Sequence, residues 1–396
     1  MTDSAAPPAA SAIQPISAGL LAAIVGFASS FAIVLAGFTA VGATPAEAAS
    51  GLFAICLGQG LLGMGFALAT RTPITIAWST PGAALLIATG APAGGFPVAV
   101  GAFLIAGLLV IVAGIWRPFG RAVASIPLSL AGAMLAGVLL ELCLAPVHAV
   151  AAAPGLALPI VATWAIALRF ARPYAVPIAV VATAIVVGIT TQLPPATFAT
   201  LLPHPVLVLP SFTFAALIGI AVPLFIVTMA SQNVPGLAVL RVNGYHPNVG
   251  PIFVWTGLGS VATAFFGGHS LNLAAITAAL CAGPDAHPDP ARRWIASFTG
   301  AAAYIVIALA VPFAAAFVTA SPPLLIEAVA GLALLGSLGG ALSSALAKED
   351  ERLPAVVTFV IAASGVSFLG IGAAFWGLIA GGALMALIKW RPALAP

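Results

Sequence analysis

The chain has 396 residues, 62% of them apolar and 5% charged, against roughly 25% charged in soluble domains, which excludes an ordinary water-soluble protein. Its net charge of +3 comes from 12 Lys and Arg against 9 Asp and Glu with no basic run, which excludes a nucleic-acid surface. A bilayer core takes about 20 apolar residues per helix, so fourteen spans consume roughly 280 residues and leave the rest for connections and tails. The composition therefore predicts an all-α polytopic membrane protein.

Residues 1–16 lack a basic n-region ahead of the first apolar run and read as a disordered cytoplasmic tail, not a cleaved signal peptide. Apolar segments bounded by Pro, Gly or charge then follow at 17–39, 45–69, 73–89, 95–115, 121–144, 150–169, 173–190, 211–240, 249–267, 269–282, 293–318, 322–346, 354–370 and 373–389. The segment 211–240 is expected to unwind at its Pro235-Gly236 end. All twelve cations, Arg71, Arg117, Arg121, Arg169, Arg172, Arg241, Arg292, Arg293, Lys348, Arg352, Lys389 and Arg391, follow even-numbered segments. Cytoplasmic loops collect Lys and Arg, so this parity predicts fourteen spans with both termini inside. The loops near Gly42, Ala91, His148, Leu201, Gly268, Ser321 and Ile371 then lie outside. Trp116, Trp294 and Trp390 each adjoin a cation, as interface anchors do. Cys56, Cys143 and Cys281 sit within apolar segments and read as buried free thiols.

An odd seven-span unit, repeated, gives two copies of opposite topology, the inverted-repeat design of many secondary transporters. The copies are 17–190 and 211–390, joined by an external linker at 191–210. Spans 3 and 10 support this. PITIAWSTPGAALLIAT (73–89) and HSLNLAAITAALCAG (269–283) are both short, open with an alternating, strand-like stretch and then turn Ala/Leu-rich. At an offset of about 197, Ile74-Thr75-Ile76-Ala77 overlays Leu271-Asn272-Leu273-Ala274 and Thr80 overlays Thr277. Both spans are predicted to break into a short extended stretch and a half-helix.

In Ser79-Thr80-Pro81-Gly82, Thr80 is the expected N-cap and Pro81 the first helical residue. A helix starting in mid-membrane offers free amides and a positive dipole end to an anion, with Ser79, Thr80 and Gly82 around it and Asn272 and Thr277 supplied by the mirror segment. Ser231, Gln232 and Asn233 end span 8 just before Pro235. Gln232 or Asn233 either bonds a substrate carboxylate or holds the broken helices together. The loop GPDAHPDPARRW (283–294) reads as a structured cytoplasmic loop or gate, not a metal site. No GxSxG elbow pairs with a His and the histidines are scattered, so neither an enzyme nor a metal or cofactor is expected.

AWSTPGAALL (77–86), PLFIVTMASQNVPGLAVLRVNGY (223–245), AAITAALCAGPDAHPDPARRW (274–294) and GIGAAFWGLIAGG (370–382) resemble the benzoate:proton symporter (BenE) family, through nearly all of 15–390. The resemblance implies import of benzoate or a close aromatic acid with protons across the inner membrane. It implies the fold shared with uracil and sulfate permeases: a core domain of spans 1–4 and 8–11, a gate domain of spans 5–7 and 12–14, a site between the half-helices of spans 3 and 10, and often a homodimer. Such a ligand needs apolar walls, for which Trp78 and Phe38 are the candidates. The alternative reading is a transporter or uncoupled channel for another small anion or nucleobase. Uracil-type relatives carry an acid in span 8, where this chain has Ser231-Gln232-Asn233, and span 10 has no acid either. Of nine acids only Glu47, Glu141 and Glu327 fall in or near spans. His269, opening span 10, is therefore ranked first as proton carrier and Glu47 second; a third route lets benzoate enter as the neutral acid.

Overall fold

A computed structural model describes residues 13–116, 118, 127–191, 202–274, 276–366, 368 and 371–389. Arg117, Arg121, Leu201, Trp390, Arg391 and residues 1–12, on which parts of the predicted topology rest, lie outside the described residues. The elements in chain order are α1 (Ile13–Ala28), α2 (Phe31–Ala40), α3 (Pro45–Thr70), β1 (Ile76–Trp78), α4 (Thr80–Thr89), α5 (Phe96–Ile115), α6 (Leu128–Ala152), α7 (Pro154–Phe170), α8 (Ala175–Thr190), α9 (Phe214–Val242), α10 (Val249–Ala264), β2 (Leu271–Leu273), α11 (Ile276–Ala282), α12 (Trp294–Ala320), α13 (Pro323–Leu346), α14 (Arg352–Ala363) and α15 (Ala373–Lys389). Among the described residues eight stretches are apolar and long enough to cross a membrane: α1 with α2, α3, α5, α6, α8 with its preceding turn, α9, α12 with its preceding turn, and α13. The apolar helices α4, α7, α10 and α15 have 10–17 residues. The chain is a multi-pass helical membrane protein.

Four predicted boundaries change. Residues 13–16, assigned to the tail, are helical; Pro15 fits because the first turn of a helix has no partner for the missing N–H, and Gln14 Nε2 donates to the Asp285 carbonyl at 3.1 Å. α6 runs on through Pro146 to Ala152, since a proline inside a membrane helix is tolerated where a neighbour packs against it; a Cβ on Gly331 of α13 would lie 2.6 Å from the Pro146 ring. α9 does not unwind at Pro235-Gly236. It stays helical across Phe214–Val242 and absorbs its irregularity as π-helical turns at Leu217–Ala221 and Met229–Asn233, the second immediately before the stretch that carries Pro235. α14 stops at Ala363, well short of 370, where Gly365 takes a φ of 65°, the left-handed terminator that glycine adopts without steric cost.

Packing follows two sets of helices. α3 lies on α12, α5 on α10, α1 on α11 and α12, and α2 on α4; separately, α6 lies on α13, α14 and α15, with α7 and α8 against each other and against α13. The largest fully buried side chains include Phe38, Phe96, Phe103, Ile33 and Leu52. Cys56, Cys143 and Cys281 are unpaired and buried. At one end of the second set, Glu351 accepts from Ser129 Oγ at 2.6 Å and from Lys389 Nζ at 2.9 Å and faces Lys348 Nζ at 3.4 Å, which fastens α6 and α15 to the α13–α14 turn. The Lys389 bond, the Ser129 bond and the nearby lysine charges hold its carboxyl down from 4.5 to about 2.

The two strands are the centre of the architecture. β1 and β2 pair antiparallel with Ile76 opposite Leu273, Ala77 opposite Asn272 and Trp78 opposite Leu271. Backbone bonds extend the crossing at both ends: Ser79 N donates to Ser270 O at 3.1 Å and Ala274 N to Thr75 O at 2.9 Å. Two interrupted segments thus satisfy each other's backbone groups, which irregular chain must do inside a membrane.

Candidate substrate site at the strand crossing

α4 begins at the crossing. Its N-cap is Ser79, one residue before the predicted Thr80: Ser79 Oγ accepts from Gly82 N at 3.0 Å, so Thr80 and Pro81 both fall inside the first turn. Ser79 Oγ also accepts from Thr228 Oγ1 of α9 at 3.0 Å. With Gly82 N bonded to the cap, Ala83 N bonded to Ser79 O and Pro81 lacking a donor, the Thr80 amide is the first-turn N–H without a partner among the described residues. Gly82 does not face open space. A Cβ there would stand 2.6 Å from Leu224 Cδ1 and 2.8 Å from Ser79 Oγ, so this glycine sets how closely α4 approaches α9.

The two amides of span 8 separate cleanly. Asn233 is fully buried; its Oδ1 accepts from Leu273 N at 2.9 Å and its Nδ2 faces Met229 Sδ at 3.1 Å. It holds β2. Gln232 is half-buried and its side chain makes no hydrogen bond among the described residues. The other end of β2 is held by Ser260 of α10, whose Oγ accepts from Leu271 N at 2.8 Å, a residue the sequence pattern gave no reason to single out. Asn272 donates to Leu273 O at 2.8 Å, and its Oδ1 is buried without a partner. α6 packs against both α4 and the Met229–Asn233 turn, so the half-buried Thr80 and Gln232 stand on the two elements that meet this helix.

Aromatic side chains flank the crossing on either side. Trp78 donates its indole N–H to Ser30 Oγ at 2.9 Å, in the break between α1 and α2, and meets Phe27 at 6.1 Å and Tyr304 at 5.6 Å, both edge-on. Phe38 packs against Phe96, Phe103 and the His269 ring, the last at 5.4 Å. His269 is fully buried in this aromatic box with Phe103 also edge-on to it, and neither ring nitrogen has a hydrogen-bond partner among the described residues. Thr277, half-buried in the first turn of α11, has its methyl near Gly26 of α1.

Glu47 lies apart from these groups. It closes a capping box at the start of α3, its Oε2 accepting from Thr44 N and Thr44 Oγ1 at 2.8 Å each, so its carboxylate is engaged by the helix terminus. A cavity of about 590 Å³ opens between the first turns of α3, the last turns of α12 and Leu202–His204; none of the predicted site residues lines it. The 283–294 loop is built around Arg293, buried and donating to Ala282 O at 2.9 Å and His287 O at 2.7 Å. It thereby neutralises the carbonyl end of α11.

The BenE family, described as benzoate membrane transport protein, matches residues 9–387. Inner membrane protein YdcO of Escherichia coli (strain K12) is 41% identical over 92% of this chain and 93% of its own length. The benzoate membrane transport protein of Acinetobacter baylyi is 30% identical over 92% of each. Among solved structures, the transmembrane domain of the cyanobacterial bicarbonate transporter BicA aligns with a TM-score of 0.57 at 16% identity, over 93% of this chain and 98% of that one. SLC26A9 aligns with a TM-score of 0.65 at 15% identity, over 95% of this chain and 65% of that one. At these identities the two structures speak for the fold alone, while the sequence matches, running from one end of the described helices to the other, decide the family: the chain is a membrane transport protein of the benzoate membrane transport (BenE) family.

Proposed function

We propose that the chain imports benzoate or a related aromatic carboxylate together with protons, by alternating access across the bacterial inner membrane. The observation that carries this reading is the crossing itself: a half-helix, α4, starts in the protein interior beside a second interrupted segment, and an unbonded amide and an unbonded glutamine among the described residues stand on the two elements that meet α6. The carboxylate sits at the Thr80 amide and hydroxyl, at the positive end of α4, within reach of Gln232, and the ring lies against Trp78. Family membership supports the substrate class, and the helix terminus supports the negative charge.

In this reading the fourteen segments form two inverted repeats of seven. The core domain is α1–α5 with α9–α12, and the gate is α6–α8 with α13–α15. Antiparallel pairing of β1 with β2 is the geometry that an axis in the membrane plane imposes on equivalent strands, and the two packing sets follow the core and gate boundary. The one-sided cations support cytoplasmic termini, and in this reading the protein works as a homodimer.

For the coupling proton His269 ranks above Glu47, because a capping carboxylate has a structural reason to be where it is and a histidine with two unpartnered nitrogens has none. Phe38 and Phe103 box its ring, so it reaches water only when the box opens. The test is uptake of labelled benzoate into proteoliposomes under an imposed pH gradient, in wild type and in His269→Gln and Glu47→Gln. Wild type accumulates benzoate, and His269→Gln exchanges it without accumulating it. Accumulation that ignores the pH gradient refutes symport. Normal accumulation by both variants refutes the carrier assignment and leaves entry as the neutral acid.

A further inference from the structure

Gln59 bonds to none of the groups at the strand crossing. It stands midway along α3 (Pro45–Thr70), is 1% exposed, and neither its amide nitrogen nor its oxygen has a hydrogen-bond partner. A desolvated amide with nothing to bond is costly, and in a membrane helix, where a leucine would fit without penalty, a polar residue marks a functional position. Its polar neighbour is the Tyr304 hydroxyl of α12, which it approaches without closing a hydrogen bond.

Tyr304 carries the connection to the transport site. Its ring stands edge-on to Trp78 at 5.6 Å. Its hydroxyl points at α1, where a Cβ on Gly26 would be 2.6 Å away, and the Thr277 methyl comes within 3.2 Å of the same point. Only glycine at 26 leaves the hydroxyl room. Trp78 thus meets the Tyr304 ring, while Gln59, Thr277 and Gly26 neighbour its hydroxyl, and these groups carry no charge.

We propose that Gln59 and Tyr304 form a polar subsite that reads a hydroxyl on the substrate ring, so that the cargo is a hydroxylated aromatic carboxylate in preference to benzoate itself. The inference rests on the proposed function, because it assumes an aromatic acid bound against Trp78. The chemistry fits a phenol: the amide oxygen accepts its proton, the amide nitrogen or the tyrosine hydroxyl donates to its oxygen, and the absence of a cation disfavours a second carboxylate. A subsite built to bond a substrate hydroxyl discriminates strongly against the analogue without one, because its own buried groups are then left unpaired.

The experiment is competition of labelled benzoate by 2-, 3- and 4-hydroxybenzoate with purified wild-type protein, followed by the same series with Gln59→Leu and Tyr304→Phe. One hydroxybenzoate isomer binds wild type at least tenfold more tightly than benzoate, and each variant brings that ratio to within about twofold of unity. The ratio is the readout, since a merely structural role would weaken all four acids together. Wild type binding benzoate as tightly as every isomer overturns the inference alone: Gln59 is then satisfied by a resident water. A wild-type preference that survives both variants also overturns it. Wild type that binds none of the four acids overturns the proposed function with it. The wild-type comparison needs no variant to fold.

Discussion

Gln232 and Asn233 are adjacent amides with opposite duties, which makes them a sharp test of the site. Asn233→Leu keeps the volume but strands the Leu273 amide, whose bond to Asn233 Oδ1 is 2.9 Å long in a fully buried setting. Leaving one buried donor unmatched costs about 1–3 kcal/mol, enough to lower the melting temperature of the ligand-free protein by several degrees. Gln232→Met removes no hydrogen bond among the described residues, so its effect on the ligand-free protein stays within about 0.5 kcal/mol. Binding reverses the order. A hydrogen bond from Gln232 to a carboxylate contributes about 1.5–3 kcal/mol, so Gln232→Met weakens benzoate binding roughly ten- to a hundredfold. The assay is thermal unfolding in detergent with and without benzoate, alongside equilibrium binding. If Asn233→Leu melts like wild type and loses affinity, or if Gln232→Met binds normally, the division of labour between the two residues is wrong.

Three further outcomes follow from contacts within the protein. Ser79→Ala removes the acceptor shared by Gly82 N and Thr228 Oγ1; loss of an N-cap costs about 1 kcal/mol, and denaturant titration should show at least that much. Glu351, whose carboxyl is held down to about 2, favours folding above the ordinary carboxylate range and loses that contribution as pH falls from about 4.5 toward 2. Glu351→Gln therefore flattens the acid limb of a stability profile, and an unchanged limb would mean the network adds nothing. Arg293→Gln gives up two short charged bonds to Ala282 O and His287 O, at about 1.5–3 kcal/mol each, and limited proteolysis within 283–293 should accelerate.

The broken spans are legible in the sequence because their cause is local: a short apolar run with Pro and polar residues at its middle cannot be one continuous helix. Which residue caps α4 is less legible, since Ser79 and Thr80 are both competent caps and the choice is made by Thr228, distant in sequence. The antiparallel register of β1 with β2 leaves no trace in a pair of three-residue strands. It depends on where two helix pairs carry their ends, and an overlay at constant offset only relates the repeats to each other. Pro235 suggests a helix end, yet a π-turn absorbs the same defect without interrupting α9.

Scarcity of polar residues is the strongest guide such a chain offers, and its failures are as informative as its successes. It points to Gln232, Asn233 and Asn272, but cannot say which of them bonds backbone. It draws attention to Glu47, whose environment is decided instead by Thr44-Pro-Ala-Glu47, a capping-box spacing readable from four residues. By the same logic Gln59, a lone amide in the middle of α3, is visible in the sequence without any structure; what the fold adds is Tyr304, a residue whose ring satisfies every expectation of a core aromatic and whose hydroxyl alone gives it away. A buried tyrosine in a membrane core has to put its hydroxyl somewhere, and here the place is made by Gly26 and shared with an unpaired amide. That coincidence of three helices on one polar point, and not the rarity of any single residue, is what separates a built subsite from an accident of packing.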